Sequence, residues 1–293
     1  MSRGRLEAGH ESAGRLGTGT AAEDVALLTA AHVAVMPSLE AAEPQIAMAV
    51  DLVVEAMRGG GRLLYFGAGT SGWLAALDAA EVVVTFGMRD RVMSVLGGGH
   101  RLDPTAMTLG DDDVSSLDHD PVIDASGPGD IAIAVSASGR TPFTVAAVDR
   151  LRGQGARVIA LVNDSGSPLE ARAHAVIHVP VAGELVAGST RLTAGMAQKV
   201  VLNTISTASM VRLGRTFNGQ MVCVEPLNAK LRERIVRAVA TAAAVTDEEA
   251  RAAVAEAGAG DVAVVMLLTG RDAQSAADHL GRARGHIGRA VAS

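Results

Sequence analysis

Glycine and hydroxyl residues cluster directly after a short apolar run. The apolar residues 63–66 lead into residues 67–72, named here the glycine loop, and an apolar helical pattern follows. This order predicts a strand, a tight turn and a helix, with backbone N–H groups and two hydroxyls at the helix N-terminus. Unpaired amide donors and the helix dipole favour an anion at that place. We interpret the loop as a phosphate-binding turn that uses Gly69, Thr70, Ser71 and Gly72.

The glycine loop also fits the dinucleotide-binding pattern G-x-G-x-x-G. A dinucleotide site would require an acidic residue near the end of the next strand to hold the ribose. The next strand-like run, residues 92–96, ends instead in three glycines, and Glu81 falls within the predicted helix. These observations disfavour a dinucleotide site. A structural turn that binds no ligand is the other alternative.

Two further hydroxyl-rich segments each precede a predicted helix. Residues 136–141, the serine loop, follow an apolar run and end before Pro142, which suits a first helical turn. Residues 188–191, the third loop, are predicted to open a long helix. N-capping explains one such segment alone, but three in one array favour a shared phosphate site. The residues assigned to it are Ser136, Ser138, Gly139, Thr141, Ser189 and Thr190, with Arg191 and Lys199 adding positive charge.

The elements that must position these loops alternate between apolar strands and helices. The strand-like runs are residues 63–66, 92–96, 131–135, 158–162 and 176–179. This alternation predicts an α/β fold with a five-stranded parallel sheet covered by helices on both faces. Ligands of such sheets bind outside the carboxyl ends of the strands, where the glycine and serine loops lie.

The chain is predicted to have three parts. Residues 1–60 form an N-terminal arm with covering helices, residues 61–215 the sheet domain, and residues 216–293 a small helical subdomain. The polar, glycine-rich residues 1–22 are typical of a disordered terminus.

Composition excludes several classes of protein. The net charge of −6 and the 2% aromatic content argue against a nucleic-acid-binding protein. The single cysteine, Cys223, excludes an internal disulfide and a cysteine-rich metal site. The first residues have no apolar signal core, and no run approaches 18 apolar residues. We therefore expect a cytoplasmic protein that does not act at a membrane.

The segments FGAGTSG, SASGRTP and GSTRLTAGMAQK together resemble the sugar isomerase (SIS) domain, a flavodoxin-like three-layer sandwich. More closely, the chain is similar to the N-acetylmuramic acid 6-phosphate etherases and to the related glucokinase regulatory protein. The resemblance covers most of the chain. It implies a lyase of amino-sugar catabolism and peptidoglycan recycling that uses no cofactor or metal. It also implies a sugar-phosphate substrate and a homodimer with shared sites.

The resemblance further implies an elimination followed by hydration. The open-chain sugar phosphate loses its C2 proton, D-lactate leaves from C3, and water adds to the unsaturated aldehyde. A carboxylate that serves as base and then acid typically contributes ~10²–10⁴ in rate. Glu81 matches the family's acid/base glutamate, and its apolar neighbours would raise its pKa if it were buried. Asp111, in the acidic stretch 108–113, best matches the second carboxylate.

Several positions depart from the family pattern. Asp111 stands where the family has glutamate, Trp73 where it has arginine, Thr193 where it has lysine and His100 where it has glutamate. The family's Thr-Glu signature is present only as His10-Glu11-Ser12. Each lost polar contact can cost ~1–3 kcal/mol. Two alternatives therefore stay open: a divergent phosphosugar-binding regulator, or an aldose-ketose isomerase. If Glu11 matches the signature, the N-terminus is ordered over the site instead of disordered.

Overall fold

The computed structural model describes residue 6, residues 9–100 and residues 104–293. The chain divides into two compact units. The first contains residues 1–79 and 91–205, and the second contains residues 80–90 and 206–293. We retain the three-part division at residues 60 and 215 as a proposal.

A five-stranded parallel sheet organises the described part of the first unit, in the order β2-β1-β3-β4-β5. The predicted α/β fold is thus confirmed. Every residue of β1 and β3 is buried, because helices cover both faces of the sheet. The strands are β1 Leu63–Gly67, β2 Val92–Leu96, β3 Ile131–Val135, β4 Arg157–Val162 and β5 Ala175–His178.

Helices cover the two faces of the sheet through alternating strand residues. Leu64 and Phe66 belong to one core cluster with Phe143 of α6. Tyr65 points to the other face, where its hydroxyl donates to Asp78 Oδ2 of α3 over 2.8 Å. The helices that begin in this unit are α1 Ala21–Val33, α2 Met36–Arg58, α3 Gly69–Phe86, α4 Pro104–Leu109, α5 Pro121–Asp124, α6 Pro142–Gly153, α7 Pro168–Arg172 and α8 Thr193–Arg212.

Helices α1 and α2 together form a long apolar helical segment. By length and composition alone, residues 21–58 could cross a membrane. Helix α2 contacts β1, β3 and β5, and its stripe of Leu39, Ile46, Val50 and Val53 is buried. Contact with the sheet therefore accounts for the apolar composition of α2.

Helices form the second unit around a core of its own. Val239, Val264 and Ile287 are fully buried in this core. The predicted capping box is present, since Thr246 Oγ1 accepts the Glu249 N–H and the Glu249 carboxylate accepts the Thr246 N–H. The helices are α9 Ala229–Ala243, α10 Asp247–Ala257, α11 Gly260–Thr269, α12 Ala273–Arg282 and α13 Ile287–Ala292.

Candidate active site

The glycine and serine loops leave the sheet side by side. Gly67, at the end of β1, is in register with Val135, at the end of β3. In the strand order β2-β1-β3-β4-β5, the chain turns to opposite sides of the sheet after these two strands. Open parallel sheets bind ligands in the crevice at such a switch point. The two predicted phosphate loops therefore flank the expected ligand crevice.

Close backbone contact shapes the glycine loop. Gly69 has a φ of 54°, in the left-handed region that favours glycine. The Gly72 N–H donates to Ala68 O over 3.0 Å, which closes the turn into α3. The side chains of Thr70 and Ser71 are half-buried and have no hydrogen bond to any described residue. Their hydroxyls are thus available to a ligand at the start of α3.

Gly72→Ala is expected to disrupt the glycine loop. A Cβ at this position would lie 2.5 Å from Gly67 O, a backbone atom that cannot rotate away. We expect the free energy of unfolding to fall by ~1–3 kcal/mol and binding of a hexose 6-phosphate to be lost. Thermal denaturation with and without the ligand measures both effects. Gly153→Ala is the matched control in α6, since a Cβ there meets nothing within 4 Å; equal effects of both variants would contradict the prediction.

Internal hydrogen bonds hold the serine loop in shape. The buried Ser136 Oγ lies 3.0 Å from Thr141 Oγ1 and accepts the Gly139 N–H over 3.0 Å. Gly139 has a φ of 64°. Ser138 Oγ accepts the Arg140 N–H over 3.2 Å. Because Thr141 bonds to Ser136, its side chain does not cap α6, so this helix start also faces the crevice without a side-chain cap.

The acidic loop, residues 110–113, is attached to the start of α6. The Phe143 N–H donates to Asp111 O over 3.0 Å. The backbones of Gly97 and Gly110 also pack tightly, since a Cβ on Gly97 would lie 2.3 Å from Gly110 O and 2.8 Å from Ala68 Cβ. Asp111 is therefore placed beside both phosphate loops.

The carboxyl group of Asp111 has properties that suit proton transfer. Its side chain is exposed. Loss of solvation from the surrounding protein, and then the charge of Asp112, raise the pKa of Asp111 above its ordinary value. A carboxyl group with a raised pKa can hold a proton nearer to neutral pH and can act as an acid or a base.

Glu81 lies on the exposed side of α3. Ala79 and Val82 are buried, but Glu81 itself is exposed, so its apolar neighbours do not bury it within this chain. The reason is helical periodicity, which turns residue 81 outward between inward-facing neighbours. Glu81 follows Gly69 by about three turns, or roughly 18 Å along the helix axis. The phosphate loop and Glu81 are thus at separate places on one helix.

The third loop differs from its prediction. Helix α8 begins at Thr193, not at Gly188. The fully buried Glu184 carboxylate accepts the N–H groups of Thr193 and Ala194, both over 3.1 Å, and the Thr193 hydroxyl over 2.7 Å. This helix start therefore already holds an anion from the chain itself. Sequence reasoning missed Glu184, because nine residues separate it from the helix that it caps.

Ser189 and Thr190 lie in the turn before α8 and are half-buried. Thr190 O accepts the Gly195 N–H over 2.9 Å. A Cβ on Gly195 would lie 3.6 Å from the Thr70 methyl group. The third loop thus lies close to the glycine loop, although its helix N-terminus is occupied.

The described N-terminal residues pack on the segment that precedes α8. The His10 N–H donates to Glu184 O over 3.1 Å, and a Cβ on Gly9 would lie 3.7 Å from Ala187 Cβ. The exposed Glu11 follows directly. For these residues the prediction of a disordered terminus is wrong, because backbone hydrogen bonding attaches them to the loop. Residues 1–5, 7 and 8 lie outside the described part of the chain.

The other departures from the family pattern have ordinary surroundings. Trp73 is half-buried on α3. The exposed His100 lies with Nε2 3.0 Å from Ser94 O. Thr193 is engaged by Glu184. None of these three positions supplies the carboxylate, guanidinium or ammonium group of the family residue that it replaces.

Two large cavities lie in the second unit, with volumes of about 730 and 840 Å³. None of the predicted site residues lines either of them. Burial raises the pKa of the Cys223 thiol, which lines the first cavity, to about 12. Such a thiol is not a nucleophile at neutral pH. Among the described residues, no group of three or more His, Cys, Asp or Glu side chains is arranged to hold a metal ion.

The fold and its loops define a class of protein. Residues 29–163 match the family described as the SIS domain. A phosphoheptose isomerase from Francisella tularensis has the same fold, with a TM-score of 0.52 and 17% sequence identity over 66% of this chain and 100% of that one. The first unit is therefore a SIS domain.

Relatives narrow the assignment within that class. An N-acetylmuramic acid 6-phosphate etherase from Rubrobacter xylanophilus is 44% identical over 87% of this chain and 85% of its own length. A protein of the same name from Thermobifida fusca is 46% identical over 77% of this chain and 74% of its own length. The chain belongs to the N-acetylmuramic acid 6-phosphate etherase family.

Proposed function

We propose that this protein cleaves the D-lactyl ether of N-acetylmuramic acid 6-phosphate, a carbon–oxygen lyase reaction in the cytoplasm. The products are N-acetylglucosamine 6-phosphate and D-lactate. The observation that carries the proposal is 44% identity to an etherase over 85% of that relative's length. The arrangement of loops at the switch point supports it, because a sugar phosphate needs anion-binding groups beside acid/base carboxyls.

The phosphate group would bind between the glycine and serine loops. Thr70 and Ser71 offer hydroxyl donors, the start of α3 adds backbone N–H groups, and the dipoles of α3 and α6 favour an anion. Ser138 and Thr141 are half-buried at the rim of the serine loop. Arg191, the last residue of the third loop, is exposed and adds a positive charge. This set of donors matches a phosphate dianion better than a neutral sugar hydroxyl.

The two carboxyl groups would divide the proton transfers. A base removes the C2 proton, which is acidic because it lies beside the aldehyde carbon of the open-chain sugar. The C2–H electron pair forms the C2–C3 double bond as the C3–O bond to lactate breaks, and lactate receives a proton. Water then adds its oxygen to C3, and C2 regains a proton. We assign Glu81 as the principal acid/base and Asp111 as the second carboxyl.

Glu81 would serve a site in a second copy of the chain. It lies roughly 18 Å along α3 from the start of the phosphate-binding turn. The phosphorus and C2 of one sugar phosphate are separated by less than half of that length. Within α1, Val25 and Val33 are 62% and 63% exposed, and Leu77, one turn from Glu81, is 46% exposed. A homodimer with shared sites would cover such apolar surface and bring Glu81 to the partner's phosphate loops.

Hybrid dimers are expected to regain activity from two inactive chains. Glu81→Gln removes the base, and Thr70→Ala with Ser71→Ala removes the phosphate hydroxyls. If the site is shared, a dimer of one chain of each kind has one complete site and about half of the unaltered activity. Coexpression with two affinity tags and tandem purification isolates this hybrid. A hybrid as inactive as its parents would contradict the shared site, and unaltered homodimers carrying both tags are the control.

The proposed reaction is tested by incubating purified protein with N-acetylmuramic acid 6-phosphate in H₂¹⁸O. Mass spectrometry should detect D-lactate and N-acetylglucosamine 6-phosphate that carries one heavy oxygen at C3. Intact substrate that still raises the melting temperature would indicate a phosphosugar-binding regulator instead. A ketose phosphate without lactate release would indicate an aldose-ketose isomerase.

A further inference from the structure

A buried hydrogen-bond network lies beneath the serine loop. The Asn163 and Asp164 N–H groups both donate to Ala137 O, over 2.9 and 3.0 Å. The Asn163 side chain donates through Nδ2 to Val179 O over 2.9 Å, and Gln198 Nε2 of α8 donates to Asn163 Oδ1 over 2.9 Å. Asn163 and Gln198 are 2% and 1% exposed. This network connects the segments after β3, β4 and β5 to α8.

The orientation of both amides follows from one carbonyl group. Val179 O can only accept, so the amide nitrogen of Asn163 must face it. Asn163 Oδ1 then faces α8 and requires a donor, so Gln198 must present its own nitrogen. Gln198 Oε1 is left buried without a donor from the described residues. A buried carbonyl without a donor lowers stability. Packing alone therefore does not account for a glutamine at position 198.

Helix α8 is connected to both phosphate loops, directly to the glycine loop and through Asn163 to the serine loop. Gly195 packs beside the Thr70 methyl group of the glycine loop. Gln198, one turn further along α8, reaches the serine loop through Asn163 and Ala137. We propose that Asn163 and Gln198 are positioning residues that fix the serine loop relative to the glycine loop and thereby set phosphate affinity. The inference rests on the proposed function for the identity of the sugar, but it concerns phosphate binding alone.

The test exchanges the donor of Gln198 for an acceptor of the same shape. In Gln198→Glu, a carboxylate oxygen would face Asn163 Oδ1, and Asn163 cannot rotate without losing Val179. We expect the Kd for N-acetylglucosamine 6-phosphate and for inorganic phosphate, measured by calorimetry, to rise about tenfold. In turnover, KM should rise by a similar factor while kcat changes by less than about threefold, because uniform binding is what is lost.

Matched variants separate positioning from folding. Gln154→Glu makes the same change at an exposed position of the α6 C-terminus and should leave both Kd values unaltered. Gln198→Met keeps the volume without a buried charge, and we expect it to fold and to weaken phosphate binding. Asn163→Ala combined with Gln198→Ala should be no weaker than the worse single variant, because both act through one connection.

Two results would overturn the inference. One is unaltered phosphate affinity in folded Gln198→Met, and the other is an unaltered chain that binds neither phosphate ligand. If the unaltered chain binds N-acetylglucosamine 6-phosphate but releases no lactate from N-acetylmuramic acid 6-phosphate, the proposed reaction is wrong. The Kd comparison then still decides the role of Gln198.

Discussion

Glu81→Gln is expected to reduce lactate release by about 10²–10⁴-fold, the usual contribution of a general acid/base. The amide has the shape of the carboxylate but cannot accept the C2 proton. Because Glu81 is exposed on α3, we expect the free energy of unfolding to change by no more than about 1 kcal/mol. The Kd for N-acetylglucosamine 6-phosphate should change by less than about twofold, since the phosphate loops supply most of the binding.

Steady-state lactate production and calorimetric binding measure these two quantities. Glu55→Gln makes the same change at an exposed position of α2, where Glu55 pairs with Arg157 at the amino end of β4, and should be fully active. Turnover of Glu81→Gln at more than half of the rate of this control would rule out Glu81 as the acid/base. A parallel loss of phosphosugar binding would instead assign it to ligand binding.

Asp130→Asn is expected to lower the free energy of unfolding by about 3 kcal/mol, as when one partner of a buried ion pair is removed. Arg62 Nη2 and Asp130 Oδ2 are 2.7 Å apart, and their side chains are 18% and 9% exposed. The Asp130 carboxylate also accepts the N–H groups of Arg62 and Gly127. Without its charge, the Arg62 guanidinium would stay largely buried and uncompensated.

The same ion pair predicts a dependence on pH. Burial alone would raise the pKa of Asp130, but the hydrogen bonds and charge of Arg62 hold it below its ordinary value. The stabilisation that Asp130 contributes is therefore complete above its pKa in the unfolded chain, about 3.9. It is lost as the pH falls through the lower pKa of Asp130 in the folded chain. The stability difference between the unaltered chain and Asp130→Asn should consequently narrow below about pH 4.

Urea denaturation at pH 7 and at pH 3 measures both effects. Glu55→Gln is the control, because Glu55 forms a more exposed ion pair with Arg157. The Glu55 side chain is 69% exposed and the Arg157 side chain 31%, and such pairs contribute only ~0–1 kcal/mol to stability. Equal destabilisation by the two variants would contradict the prediction. Phosphosugar binding by Asp130→Asn should be normal, since Arg62 and Asp130 precede β1 and β3 and lie at the opposite ends of the strands from the loops.

The sequence alone determined the sheet and the positions of its loops. Each strand is a short run of mainly apolar residues, so local composition was sufficient. The predicted runs 131–135 and 92–96 coincide with β3 and β2. The motifs also predicted the etherase family, which 44% identity to a relative confirms. Periodicity located Glu81 on a helix in the same way.

Only the tertiary structure decided which groups face one another. Glu184 caps α8 from nine residues away, Asn163 after β4 bonds to Gln198 of α8, and Asp111 is attached to α6 at Phe143. Tertiary structure also left Glu81 exposed on α3 despite its apolar neighbours. Strands and turns follow from residues adjacent in sequence, whereas these contacts join residues that chain folding brings together, and no local pattern encodes such pairings.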